Sequence, residues 1–131
     1  IIDDSSKCLN YRMYKNDFAF ENYFKILPTN LAVVIFKFRC TNHKLPIEKG
    51  RFFDIPRELR HCQLCNSNLL GDEFHYLFQC SHFNNIRSKY LDKFYFQHPN
   101  LIKYSMLMNS DNKNTILKLA IFCKKVMLAC I

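Results

Sequence analysis

Glycine and proline are scarce in this chain, whose 131 residues include 2 Gly and 4 Pro. The tight turns of β-sandwiches and barrels depend on these residues, so the composition favours helices. Hydrophobic residues make up 49% of the chain, and Phe and Tyr alone contribute 13 and 7 residues, more than a disordered chain carries. We therefore predict a mainly α, small helical domain, a single domain over residues 1–131 with a modest core.

Long hydrophobic runs are also missing. The longest ones, such as residues 31–36, span six residues, far fewer than the roughly 20 that cross a bilayer. The chain begins with the letters IIDD, without Met or a basic leader, which argues against a signal peptide and suggests a fragment of a longer polypeptide. Seven cysteines and no Asn-x-Ser/Thr sequon argue against a secreted disulfide framework. We expect an intracellular protein, nuclear or cytoplasmic, with no membrane partner.

Acidic residues are few: 11 Asp and Glu face 19 Lys and Arg, a net charge of +8. This excess favours a polyanionic partner, and nucleic acid, either RNA or single-stranded DNA, is the one we expect. Residues 37–60 contain seven basic and three acidic residues and so carry half of the net charge. The seven basic residues are our candidate nucleic-acid-binding set: Lys37, Arg39, Lys44, Lys49, Arg51, Arg57 and Arg60.

Aromatic side chains accompany these cations. The four in or beside the segment are Phe36, Phe38, Phe52 and Phe53. Cations that meet phosphates and rings that stack on bases are the usual mixture in single-strand recognition. An equally open interpretation is a solvated basic loop whose phenylalanines anchor it to the core.

The chain divides into four stretches. We expect residues 1–10 to fray and residues 11–42 to form two helices, one from Asp17 that ends at Pro28 and one capped by Asn30 that runs to about Arg39. The second, apolar nearly all round, should be central. Residues 43–80 should hold an irregular basic loop and a metal-binding segment.

The last stretch, residues 81–131, should contain the C-terminal helices. A short helix that begins at Asp72-Glu73 and ends near Gln79 precedes it, because carboxylates suit a helix N-terminus. Ser81 should cap a helix to Tyr95, and two further helices should follow residues 99 and 111.

Cysteine and histidine form the clearest motif, C-x2-C-x9-H-x4-C, over Cys62, Cys65, His75 and Cys80. Thiolates and imidazole bind Zn²⁺ tetrahedrally, and two cysteines separated by two residues can reach the ion from one tight turn. Five residues of helix rotate by about 140° net, so Cys80 can converge on His75 only if the helix ends before it. Four protein ligands leave no open position for water, so the motif predicts a structural zinc ion, with no catalytic role.

Other uses of these residue types are open. Cysteines are also common as buried apolar residues, and His61 or His82 could replace a ligand or orient one, although solvated histidines are the simpler interpretation. The cysteines without metal spacing should be buried thiols, namely Cys8, Cys40, Cys123 and Cys130. Asp72 and Glu73 diverge by about 100° on a helix, which favours a dipole role over paired acid–base catalysis.

Several segments together resemble a known family. These are FRCTNHKLPIEKGR at 38–51, IPRE at 55–58, CQLC at 62–65 and GDEFHYLFQC at 71–80. They look like the region C-terminal to the polymerase in non-LTR retrotransposon reverse transcriptases, which carries a Cys-Cys-His-Cys zinc knuckle. The resemblance, over residues 36–95, implies zinc ligation by Cys62, Cys65, His75 and Cys80 and a role in handling element RNA or target DNA.

The resemblance does not imply polymerisation by this chain. Its one Asp-Asp pair, Asp3-Asp4, lacks the preceding aromatic-x step of the polymerase signature, and the nuclease pattern of some relatives is absent. We therefore expect a zinc-binding, nucleic-acid-binding accessory region of a retroelement reverse transcriptase, itself not an enzyme and part of a larger RNA-directed DNA polymerase polyprotein. The alternative is a zinc-stabilised helical protein interaction module that docks on the remainder of the parent polypeptide or on another copy. A third possibility is a remnant without function.

Overall fold

Helices account for most of the computed structural model, which describes residues 23–40 and 42–130, with the side chain of Phe24 left out. The α-helices are α1 (Tyr23–Ile26), α2 (Thr29–Arg39), α3 (Pro46–Phe52), α4 (Glu73–Phe78), α5 (Asn84–Tyr90), α6 (Lys93–Gln97), α7 (Leu101–Met108) and α8 (Lys113–Ala129). Short 3-10 helices cover Arg57–Leu59 and Ser81–Phe83. Within the described ranges no strand forms, and the predicted mainly α fold is confirmed.

The core is built around α8, against which α2 and α5 both pack. Its buried side chains recur at helical spacing over about three turns: Ile116, Leu119, Ala120, Phe122, Cys123 and Val126. The helix α2 contributes Ala32, Ile35 and Phe38, so it is central as expected. Its burial is one-sided, however, because Phe36 remains 43% exposed.

Two helix starts differ from the prediction. Helix α2 begins at Thr29, one residue before the expected cap Asn30, because Pro28 fixes the cap position with an extended backbone and no side-chain hydrogen bond. Ser81 likewise caps nothing: a 3-10 turn begins there and Cys80 occupies the position before it.

The helix predicted from Ser81 to Tyr95 is broken in the middle. Leu91 is extended, and the Asp92 carboxylate accepts a hydrogen bond from the Phe94 N–H at 2.9 Å, which starts α6 instead. This local cap outcompetes continuation of α5. The two helices expected after residues 99 and 111 are confirmed as α7 and α8, capped by the side chains of Asn100 and Asn112.

The basic loop predicted from residue 43 onward is wrong in part, because it contains α3. Pro46 stands in the first turn of this helix, where its missing N–H costs nothing. Gly50 allows the side chain of Arg60 to lie against the helix: a Cβ at Gly50 would come within 2.5 Å of the Arg60 Cγ. A contact between residues ten apart thus supports a helix that local sequence signals do not indicate.

Several predictions fall on residues outside the described ranges. They are the frayed residues 1–10, most of the helix that was expected to begin at Asp17, and the thiol of Cys8. The described end of that helix is α1, which stops before Pro28 as predicted. None of the described helices is long and apolar enough to cross a lipid bilayer.

Candidate metal centre

The first two candidate ligands lie in a short closed loop. An antiparallel bridge joins His61 to Leu70, and the Cys62 N–H donates to the Leu69 carbonyl at 2.9 Å. Inside the loop the Leu64 N–H points at the Cys62 Sγ, 3.3 Å away. The chain therefore turns sharply enough between Cys62 and Cys65 to bring both sulfurs to one side.

The third and fourth candidate ligands flank the end of α4. The Asp72 carboxylate accepts from the His75 N–H at 2.9 Å and caps the helix, which stops at Phe78. The Cys80 N–H then bonds back to the His75 carbonyl at 2.8 Å. This confirms that the helix ends before Cys80, the condition for its thiol to turn towards His75.

The four side chains converge. One potential ligand atom from each of Cys62, Cys65, His75 and Cys80 lies within 4.8 Å of all the others. The sulfurs of Cys62 and Cys80 are 3.7 Å apart, and the Cys65 Sγ is 3.5 Å from the His75 Nε2. Bonds of about 2.3 Å to sulfur and about 2.0–2.1 Å to nitrogen give tetrahedral edges of about 3.8 and 3.6 Å. The donor set and these distances fit a tetrahedral metal ion.

Neighbouring polar groups orient the ligands. The His75 Nδ1 lies 3.4 Å from the Gln79 Oε1, so an Nδ1–H donating to that oxygen leaves Nε2 free to bind metal, as in most metal-binding histidines. The Cys65 Sγ lies 3.1 Å from the Ser67 hydroxyl. Partial burial raises the pKa of Cys65, but hydrogen bonds from Ser67, Cys62 and His75 outweigh burial and lower the pKa to about 6.

The remaining thiols have a different character. Burial raises the pKa of Cys80 to about 12, and it also raises the pKa values of Cys123 and Cys130. Cys123 lies in the core and Cys130 half-buried at the end of α8, and in the described residues neither joins a group of potential metal ligands. Cys123 confirms the prediction of a buried thiol, whereas Cys130 and Cys40 are only half-buried.

The two alternative histidines stay outside the cluster. His61 is half-buried beside the bridge to Leu70, and His82 is exposed, its ring packed edge-on against Phe83. Neither belongs to the group of four converging residues. The spacing C-x2-C-x9-H-x4-C therefore identified the geometrically correct set.

The candidate nucleic-acid-binding residues split into two groups. Four are exposed: Lys37, Lys44, Lys49 and Arg57. The other three are used within the protein. Arg39 is 2% exposed, donates to the Met108 carbonyl and lies over the ring of Tyr23. Arg51 forms a bidentate ion pair with Glu48.

Arg60 is structural as well. Its guanidinium donates to the carbonyls of Ile55 at 2.8 Å and Ile47 at 3.1 Å, which ties the chain after α3 back to the helix. Among the associated aromatics, Phe38 is buried in the core, whereas Phe52 and Phe53 are 77% and 62% exposed. Of the exposed cations, Lys49 lies on α3, Lys44 precedes it and Arg57 follows it, whereas Lys37 lies on α2.

Sequence analysis overlooked Arg87, which joins the ligand-bearing helix to the core. Its guanidinium is 2% exposed, donates to the carbonyls of Leu77 at 2.7 Å and Tyr76 at 2.9 Å, and lies over the Phe122 ring. Burial lowers its pKa. A lone arginine on the apolar side of a helix was the only available signal.

A buried contact between a histidine and a carboxylate was also overlooked. The His43 Nε2 and the Glu73 carboxylate are 2.5 Å apart, with side chains 0% and 2% exposed. The Leu45 N–H faces the other ring nitrogen of His43 at 3.3 Å. Glu73 thus does more than favour the N-terminus of α4: it fastens that helix to the segment before α3.

No protein-family model, curated protein or solved structure matches this chain. The geometry of the four converging residues and the surrounding surface therefore carries the functional argument.

Proposed function

We propose that Cys62, Cys65, His75 and Cys80 bind one structural Zn²⁺. Three thiolates and an imidazole are the donors that zinc prefers, and four protein ligands leave no position for a reactive water. Support comes from the ligand-atom distances of 3.5 and 3.7 Å and from the Gln79 oxygen that orients His75. Bound zinc would fix the loop at residues 62–69 to the end of α4.

We further propose that the zinc-stabilised domain binds single-stranded nucleic acid as an accessory region of a retroelement reverse transcriptase. The observation that carries this proposal is a converged Cys3His cluster beside an exposed basic and aromatic surface around α3. The sequence resemblance to the zinc-knuckle region of non-LTR elements supplies the biological context. The chain's net charge of +8 favours association with a polyanion.

The test combines metal analysis with a binding titration of the full chain. Native mass spectrometry should find one zinc per chain, removed by a chelator. A labelled single-stranded oligonucleotide should bind with log K falling against log salt at a slope near −3, from four exposed cations at about 0.7 per phosphate contact. A zinc-loaded chain that binds no oligonucleotide at low salt would overturn the nucleic-acid proposal.

A second candidate function is a protein interaction module. It is favoured by three exposed apolar residues of α7: Leu101 at 52%, Ile102 at 72% and Met106 at 49%. Ile102 and Met106 are four residues apart and share one face of the helix. Concentration-dependent self-association in the absence of nucleic acid, abolished by Ile102→Asp, would support this candidate.

A further inference from the structure

A groove runs along the outer side of the metal-binding loop. It consists of two adjoining cavities of about 310 and 140 Å³ that share the lining residues Pro46, Lys49 and Gln63. Gln63 belongs to the turn between the first two metal ligands, so one wall of the groove is the loop itself. We call these two cavities the Lys49 groove.

The Lys49 groove combines an apolar wall with positive charge. The larger cavity is lined by three exposed apolar residues that follow or end α3: Phe53, Ile55 and Leu59. The basic residues that line the two cavities are Lys44, Lys49 and Arg60, and no Asp or Glu lines either one. An anion with a flat apolar portion complements this lining.

The backbone next to Phe53, which lines the larger cavity, is held by hydrogen bonds on both sides of Ile55. The Ile55 N–H donates to the Gly50 carbonyl at 2.8 Å, and Arg60 holds the Ile55 carbonyl from the other side. The Phe53 ring meets that of Phe52 edge-on, with centroids 5.3 Å apart. The Phe53 ring is 62% exposed and therefore offers a surface on which a base can stack.

We propose that the Lys49 groove holds single-stranded nucleic acid, with one base stacked on Phe53 and the adjoining phosphates on Lys49 and Lys44. This inference rests on the proposed nucleic-acid-binding function and assigns it to one surface. Stacking on a protein ring requires an unpaired base, which duplex DNA does not offer. An apolar protein segment would leave the groove's cations without counter-charges, so nucleic acid fits the lining better.

The absence of tryptophan from the chain permits a direct test. Phe53→Trp places the only indole in the groove, and Phe94→Trp places it on α6, at a ring that is 49% exposed. Each full-length, zinc-loaded variant is titrated with oligo(dT) and oligo(U), and anisotropy of the labelled oligonucleotide reports binding independently. We expect quenching of the Phe53→Trp fluorescence and none for Phe94→Trp.

Affinity measurements provide a second test of the proposal. Phe53→Leu keeps an apolar side chain but removes the ring, and it should weaken binding about 5- to 150-fold, the equivalent of about 1–3 kcal/mol of stacking. Lys49→Ala should lower the salt slope by about 0.7. The matched control Lys113→Ala removes an exposed cation at the start of α8, about 24 Å along the helix from Ala129, which borders the groove. It should leave affinity nearly unchanged.

The outcomes separate this inference from the function on which it rests. Binding by anisotropy without quenching of Phe53→Trp, and with equal affinity for Phe53→Leu, would overturn the groove assignment and leave nucleic-acid binding in place. Absence of binding by the wild-type chain would overturn both. If Phe53→Leu weakened the binding of a protein partner but not of oligonucleotides, the Lys49 groove would serve the interaction-module function instead.

Discussion

The candidate metal-binding segment, residues 60–80, and the helical core of α2, α5 and α8 are stabilised in different ways. The core buries a continuous apolar stripe of α8 against two neighbouring helices. The candidate metal-binding segment contains one six-residue helix and a loop joined by a single bridge. Five of the six residues of α4 are buried, so packing also holds this helix, whereas the loop between Cys62 and Leu69 is largely exposed and would depend on the metal.

The two regions should therefore respond differently to the same treatments. Arg87 and the His43–Glu73 pair connect the ligand-bearing helix α4 to the rest of the chain. Removal of the metal should affect the segment first, whereas a core truncation should affect both regions.

Removal of the metal should have the largest effect. Structural zinc sites in small domains bind with about 10–16 kcal/mol of apparent free energy, which is also folding free energy. Chelation or Cys65→Ser should therefore unfold the loop at residues 60–71 and leave α2 and α8 protected, as hydrogen exchange would report. The control Cys40→Ser changes a half-buried thiol outside the cluster. Unchanged exchange across residues 60–71 in zinc-free protein would refute the structural role of the metal.

A core truncation should produce a smaller effect that reaches the whole domain. Phe122 is fully buried and touches Phe83 and Arg87, so Phe122→Ala should lower the free energy of unfolding by about 3–5 kcal/mol. Phe36→Ala on the exposed side of α2 is the control. Denaturant unfolding followed by circular dichroism measures both. An equal loss of unfolding free energy in the two variants would contradict the assigned position of the core.

Loss of Arg87, which connects the two regions, should have the next largest effect on the free energy of unfolding. Arg87→Met removes the donors to the Tyr76 and Leu77 carbonyls, which should cost about 2–3 kcal/mol and also weaken zinc binding, because α4 carries His75. Arg87→Lys should rescue little, since an ammonium cannot reproduce the planar fork. Competition with a zinc-sensitive dye measures the metal affinity. Exposed Lys89→Ala is the control, and an unaltered zinc affinity in Arg87→Met would show that the connection is unimportant.

The smallest change in stability should come from Arg57. Arg57→Ala should alter unfolding by less than about 0.5 kcal/mol while lowering the salt slope of oligonucleotide binding by about 0.7. Arg39→Ala should do the opposite: loss of the buried guanidinium should lower the free energy of unfolding and leave the salt slope of oligonucleotide binding unchanged. If both variants lowered the slope equally, the division of the basic set into exposed and structural cations would be wrong.

Sequence analysis was most successful where the signal is local. The ligand spacing identified four residues that converge, and the requirement that α4 end before Cys80 followed from helix geometry alone. The last two helices begin after residues 99 and 111 as predicted, and the structure shows that the side chains of Asn100 and Asn112 cap them. The helix ends depend on residues within a few positions of one another, and the four ligands, although up to 18 residues apart, are marked by residue type and spacing.

The features that sequence analysis missed depend on distant partners. Arg39 and Arg60 looked like free cations, but a carbonyl 69 residues away and another 13 residues away accept their hydrogen bonds. Helix α3 and the His43–Glu73 pair likewise depend on contacts between segments. Charge counting along the chain gives no information about such partners, so it overestimated the number of cations available to phosphate.

The most direct test of the central claim is zinc K-edge X-ray absorption of the purified full chain. We expect one zinc per chain with three sulfur ligands at about 2.3 Å and one nitrogen ligand at about 2.0–2.1 Å, and the loss of one sulfur in Cys80→Ser. A shell with two or more nitrogen ligands would mean that His61 or His82 replaces a cysteine. A chain that retains no zinc would contradict the account of Cys62, Cys65, His75 and Cys80 as a structural metal site.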